Sequence, residues 1–169
     1  MITTIDFRIL NLIQRKMRCR TLDYIMPKIS ALGNFGIVWI LSAILFMMSK
    51  NYENTGEKII CGLSLGVIIG NLLLKHIFSR PRPFRLDNTK ELIIRAPRDY
   101  SFPSGHTLSS VISACILLHA NILFGMIALV LCLMILFSRM YLYVHYPSDI
   151  AGGIILGIII YKIVLKLNI

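Results

Sequence analysis

Four stretches of this chain carry no charged side chain: residues 33–49, 59–74, 107–138 and 150–161. A helix of about 20 apolar residues crosses the hydrocarbon layer of a bilayer, whereas the same run in water needs a polar shell around it. Too little sequence is left to build that shell. Of 169 residues, 56% are hydrophobic and the mean hydropathy is +0.74, above the roughly 45–50% apolar content of soluble domains. The expected fold is therefore all-α, a polytopic membrane helix bundle of about five spans. Helices are expected near 31–50, 57–78, 104–120, 122–143 and 148–167, with the run 107–138 divided at His119, Asn121 and Gly125. Lys162 and Lys166 can snorkel from the end of the last one.

Residues 1–20 differ in kind. Ile5, Phe7, Ile9, Leu10, Leu12, Ile13 and Met17 interleave with Asp6, Arg8, Arg15, Lys16, Arg18 and Arg20, a pattern for an amphipathic N-terminal helix in the interface plane. Without the apolar run and small-residue cleavage site of a signal peptide, this segment is expected to stay on the mature protein. Cys19, Cys61, Cys115 and Cys132 have no paired spacing, and three fall in apolar segments where a thiol acts as a small hydrophobe. No disulfide framework or metal site is expected. The chain reads as one domain over 1–169, with 84–103 as a connection over the candidate site.

If the five helices alternate in direction, four helix ends meet on one side. They bring together Lys75, Arg80, Arg82, Ser104, His106, Arg139, His145 and Asp149. In the first piece, Pro81 and Pro83 end a helix and hold Arg80 and Arg82 in a rigid turn. A lysine near a span end needs a partner, and an arginine fork matches two phosphate oxygens. In the second piece, Pro103-Ser104-Gly105-His106 runs into an apolar helix. Ser104 can cap that helix, Gly105 lets an anion approach its free amides, and His106 can donate a proton to a departing oxygen. In the third, Pro147 suits a helix start, so that Asp149 can orient His145 as a nucleophile. Taken singly, these pieces also read as a basic helix cap, a plain N-cap and a structural His–Asp pair.

Together, Lys75 through Arg82-Pro83, Pro103-Ser104-Gly105-His106, and Ser138-Arg139 with His145 and Asp149 carry a likeness. On these residues the chain resembles the bacterial membrane lipid phosphatases of the type 2 phosphatidic acid phosphatase superfamily. The motifs cover 75–149, and the hydrophobic layout extends the likeness to most of the chain. The resemblance implies hydrolysis through a phosphohistidine without metal or other cofactor. His145 would attack phosphorus with Asp149 behind it. Lys75, Arg82, Arg139, Ser104 and Gly105 would bind the phosphate, and His106 would protonate the leaving group and later activate water. Arg80 lies outside the matched positions and is read as a possible headgroup contact; His76 and His119 have no assigned role.

The expected partners are the bilayer and a membrane lipid phosphate. Undecaprenyl diphosphate is preferred over phosphatidylglycerophosphate and phosphatidic acid, and the basic connection with Arg85, Lys90, Arg95 and Arg98 can attract an anionic headgroup. Nucleic acid explains the charge of +10 less well, because the cations sit at the ends of membrane-apolar runs. A lipid-phosphate carrier or scaffold without turnover is the alternative of another class. The resemblance implies a multi-pass protein of the bacterial cytoplasmic membrane with an extracytoplasmic site; members it resembles usually have six crossings, and this chain departs from them with five and an interfacial N-terminal helix. Fourteen of the eighteen Lys and Arg fall on the site side, which by the positive-inside rule favours the cytoplasm. Oligomeric state is not legible.

Overall fold

The computed structural model describes residues 4–87 and 89–167. Expectations for 1–3, 88 and 168–169 lie outside the described residues. Every regular element among them is helical: α1 (Thr4–Lys16), α2 (Arg20–Leu32), a 3-10 turn (Asn34–Gly36), α3 (Ile37–Met47), α4 (Glu53–Gly66), a π-helical continuation (Val67–Leu74), α5 (Lys75–Phe78), α6 (Pro83–Leu86), α7 (Gly105–Ala120), α8 (Ile122–Tyr141) and α9 (Pro147–Lys166).

Local chemistry explains the boundaries. Ser104 caps α7 by accepting the amide of Thr107 at 3.4 Å, and Asn121 caps α8 by accepting those of Leu123 and Phe124 at 2.9 and 3.4 Å. Pro147 opens α9, where the Asp149 carboxylate accepts the Tyr146 amide at 2.9 Å. The last three expected helices therefore match α7, α8 and α9 to within two residues.

Two expectations need correction. The run 31–50 is not one helix: it is the second part of a pair, α2 and α3, bent by 46°. The break is Gly33-Asn34-Phe35-Gly36, where Phe35 and Gly36 have φ of 52° and 68°, left-handed values that no helix continues through. The helix expected over 57–78 starts at Glu53 and changes to π geometry at Val67. The uncharged run 59–74 continues through both geometries, so hydrophobicity does not separate them.

Buried α7 forms the centre. Leu108, Val111, Ile112, Ala114, Ile116 and Leu117 pack with Trp39, Ile59, Ile135, Ile160 and Val164, and Ser110 accepts the Trp39 indole N–H at 3.1 Å. At Gly125 a Cβ would come within 2.2 Å of the Leu118 backbone, so only glycine allows α7 and α8 to lie this close. The outer faces are apolar as well: Leu41 and Leu45 on α3, Ile127 and Leu133 on α8, and Ile155 and Ile159 on α9 are exposed. A continuous apolar exterior suits lipid rather than water. By length and composition, three helical stretches can cross a membrane, Glu53–Leu86, Ile122–Tyr141 and Pro147–Lys166, or four if the bent pair is one span. α7, at 16 residues, is about 24 Å long.

α1 lies against the polar end of this bundle. Leu10 is fully buried on Tyr143 and Tyr146, and the Phe7 ring meets Tyr146 edge-on at 5.5 Å. Ile5, Ile9 and Leu12 face outward.

Candidate active site

The turn after α8 presents His145. The imidazole is fully enclosed, with Arg82 donating to its Nε2 at 3.0 Å. An arginine only donates, so Nε2 carries no proton and the ring hydrogen is on Nδ1. That nitrogen lies 3.4 Å from the Asp149 carboxylate, without a hydrogen bond between them. Burial, followed by the charges of Arg82, Arg139 and Lys75, pushes the His145 pKa well below its ordinary value. The buried ring is held with its Nε2 lone pair toward Arg82, whose hydrogen bond it accepts.

Asp149 is fixed from several directions. Besides the Tyr146 amide, it accepts Arg80 at 2.5 Å. Arg80 also binds Asp6 of α1 at 2.8 Å and Ser148 at 2.8 Å, and its guanidinium lies 4.2 Å from the Tyr146 ring centre. Asp6 in turn accepts the amide and hydroxyl of Ser148. Arg80 is 9% exposed, which corrects its reading as a headgroup contact: it is the central cation of a buried Asp6–Arg80–Asp149 chain. Pairing explains its depth, since a buried charge without partners is costly.

In front of His145 stand three cations. Arg82 is held by the carbonyl of Val144 at 2.7 Å and, through Nε, by the carbonyl of Asp99 at 3.0 Å. Arg139 binds the Ser30 hydroxyl, and Lys75 binds the Asp99 carboxylate. The other Asp99 oxygen accepts Arg82 at 2.7 Å. Burial opposes ionisation of Asp99, but Arg82 and Lys75 outweigh it and hold the carboxyl at about 2. His106 stands opposite, its Nε2 3.0 Å from Asn34 Oδ1. Gly33 passes beneath the ring so closely that a Cβ there would lie 2.7 Å from His106 Cδ2.

Lys75, Arg82, Gly105, His106, Arg139 and His145 all line one cavity of about 830 Å3. Ser104 and Asp149 do not. Ser104 is fully buried behind the wall, where its hydroxyl caps α7 and accepts Thr107 Oγ1 at 3.0 Å. The same cavity continues along Ile40, Ile60, Leu63 and Val67 between α3 and α4, an apolar groove that leads away from the cations. Ile94, Arg95, Pro97 and Asp99 of the connection 84–103 also line it.

Sequence reasoning missed Asp6, Ser30, Gly33, Asn34 and Asp99. Only the Gly-Asn-Phe-Gly run carried a usable signal, as a helix breaker inside an apolar stretch. The others act through contacts distant in sequence.

Residues 57–168 match the PAP2 superfamily. The undecaprenyl-diphosphatase of Sulfolobus acidocaldarius is 29% identical over 138 residues, covering 81% of this chain and 66% of that protein. Undecaprenyl-diphosphatase BcrC of Bacillus subtilis is 32% identical over 140 residues, covering 82% and 71%. The chain thus spans roughly two thirds of the length of these relatives. Among solved structures, Aquifex aeolicus LpxE superposes with a TM-score of 0.86 at 26% identity, over 98% of this chain and 97% of that one. A transmembrane PAP2 type phosphatidylglycerolphosphate phosphatase from Bacillus subtilis shares the fold, with a TM-score of 0.70 at 21% identity over 96% and 86%.

Proposed function

The chain belongs to the PAP2 superfamily, and from that premise we propose that it is a membrane lipid phosphatase whose preferred substrate is a polyprenyl diphosphate, undecaprenyl diphosphate first. The observation that carries this reading is the continuity of the cavity: one end holds Lys75, Arg82, Arg139, His106 and His145, and the other is an apolar groove between α3 and α4. A lipid can thus place its phosphate among the cations while its chain stays in the bilayer. Relatives named undecaprenyl-diphosphatase support the choice of diphosphate.

In the proposed reaction, His145 Nε2 attacks the terminal phosphorus as the bond to the lipid-phosphate oxygen breaks. His106, protonated once the anionic substrate offsets the charges of Arg139, Arg82 and Lys75, gives that oxygen its proton, with Asn34 fixing the imidazole. Lys75, Arg82 and Arg139, together with the Gly105 amide, neutralise charge on the equatorial oxygens; Ser104 supports that amide as the cap of α7. Asp149 takes up the charge forming on the His145 ring, its distance to Nδ1 shortening as the ring becomes cationic. Water then attacks the phosphohistidine, His106 takes the proton, and orthophosphate leaves. Besides substrate and water, each step uses only groups of this chain, and no metal or other cofactor is assigned.

In the membrane, α2 with α3, the stretch Glu53–Leu86, α7, α8 and α9 make five crossings. α1 lies in the interface plane, its Ile5, Ile9 and Leu12 in lipid. The site faces the extracytoplasmic side of the bacterial cytoplasmic membrane, an orientation that follows the family resemblance rather than the charge rule. Phosphatidylglycerophosphate is the second substrate reading, favoured by the fold shared with the Bacillus enzyme.

The test is phosphate release in detergent with EDTA present, from undecaprenyl diphosphate, phosphatidylglycerophosphate and phosphatidic acid. His145→Ala is expected to lower turnover by about 10⁴-fold or more while lipid binding persists. Undiminished release by the variant would remove His145 as nucleophile. Binding without release by the native chain would make it a carrier or scaffold.

A further inference from the structure

Asp99 stands between two cavities. One is the lipid-side groove; the other, of about 490 Å3, is polar and lined by Asn71, Lys75, His76, Arg85, Arg98 and Asp99 with Tyr100. Its carboxylate binds Lys75 through one oxygen and Arg82 through the other, at 2.7 Å. Those are two of the three cations that face His145. Two acceptor oxygens bridging an ammonium and a guanidinium reproduce the contacts that two oxygens of a phosphoryl group would make there. The carboxylate therefore engages the same two cations that a phosphoryl group would need.

Three observations separate this from a purely supporting role. The Asp99 side chain is 51% exposed, whereas the supporting carboxylate Asp149 has no exposure. Arg82 keeps its place through two carbonyl oxygens, those of Val144 and of Asp99 itself, without the carboxylate. The loop can thus stay docked by its backbone while the carboxylate rotates away. Finally, the exit beyond it is basic, with Arg85, Arg98 and His76 on the wall.

We propose that Asp99 is an internal competitor of the phosphoryl group, displaced from Lys75 and Arg82 when substrate enters and returning after hydrolysis to expel orthophosphate into the basic cavity. The step is an exchange of anions on two cations; Asp99 makes and breaks no bond to phosphorus. It sets how tightly the site holds an anion, and so selects for substrates whose charge and lipid contacts together outcompete one carboxylate. The inference rests on the phosphatase reading of the site.

Orthophosphate itself is the probe, with its dissociation constant measured by calorimetry on the full chain in detergent and its inhibition constant measured during turnover. Native protein is compared with Asp99→Asn, Asp99→Ala and Lys75→Met. Competition predicts that both Asp99 variants bind orthophosphate about tenfold or more tightly, with KM and kcat both lowered because product leaves slowly. A residue that only positions Arg82 and Lys75 would act with the opposite sign, so unchanged or weaker orthophosphate binding in both variants overturns the proposal. Binding that Lys75→Met leaves unchanged would show that the anion sits elsewhere, and would remove the phosphate-site reading and this inference together.

Discussion

Arg80 and Arg82 are separated by one proline, and their surroundings are opposite in design. Arg80 lies behind His145 with a carboxylate on each side, Asp6 at 2.8 Å and Asp149 at 2.5 Å, and both partners are buried. Arg82 lies in front, on the cavity wall, and shares with Lys75 a single carboxylate that is half exposed. The rear pair of acids holds one cation in place permanently. The front pair of cations holds one acid that can leave. A phosphate-transfer site needs both arrangements, because its nucleophile must not move whereas its anion must be exchanged at every turnover. The difference also predicts where substitutions cost stability and where they cost only function.

The rear wall carries the largest expected effect. Arg80→Met leaves Asp6 and Asp149 buried near one another without the cation between them, and removing one partner of a buried pair costs about 3–5 kcal/mol. Thermal unfolding in detergent should show this loss, and turnover should fall with it as Asp149 moves from His145. Adding Asp6→Asn to Arg80→Met should restore part of the stability by removing one of the stranded charges. Equal melting of the native protein and Arg80→Met would break the comparison, since the rear wall would then be no more fixed than the front.

His106 gives a test of intermediate size. Its ring is placed by Asn34 and by the closeness of Gly33, both in the turn between α2 and α3. Gly33 has φ −85° and ψ −4°, which alanine adopts without strain, so Gly33→Ala acts through its methyl group against the imidazole. Overpacking of this kind costs about 1–3 kcal/mol, and displacing the proton donor by roughly 1 Å should lower kcat about 100-fold on a lipid phosphomonoester such as phosphatidic acid, whose alkoxide must be protonated as it leaves. An aryl phosphate, whose leaving group departs without a proton, should lose far less. Equal losses on both substrates would remove His106 from the protonation step.

Much of this is legible in the sequence itself. Pro83 and Pro147 open helices, Pro81 and Pro103 lie in the breaks between them, and Gly105 and His106 sit at a helix start by local rules alone. The helical class followed from runs without charge. What stayed hidden depends on distance. Arg20–Leu32 is helical although Pro27, Lys28 and Asp23 interrupt its apolar pattern, because α8 packs along it. Arg80 meets Asp6 across 74 positions and His106 meets Asn34 across 72, and nothing in the spacing of either residue names its partner. Asp99 lies in a segment without regular structure, where periodicity carries no information.

The smallest expected effect returns to the front wall. Asp99 is held at about 2 in the folded protein against an ordinary 3.8. A lowered folded value contributes stability that is complete above the unfolded value near 4 and is lost as pH falls from there through about 2. Because the side chain is half exposed, solvent screens most of that contribution, leaving about 1 kcal/mol or less. Asp99→Asn should therefore melt within a few degrees of the native protein at pH 7, and the two should converge as pH falls toward 2. A loss at pH 7 as large as that of Arg80→Met would show that the front carboxylate is as structural as the rear ones, and that the cations hold an anion which does not leave.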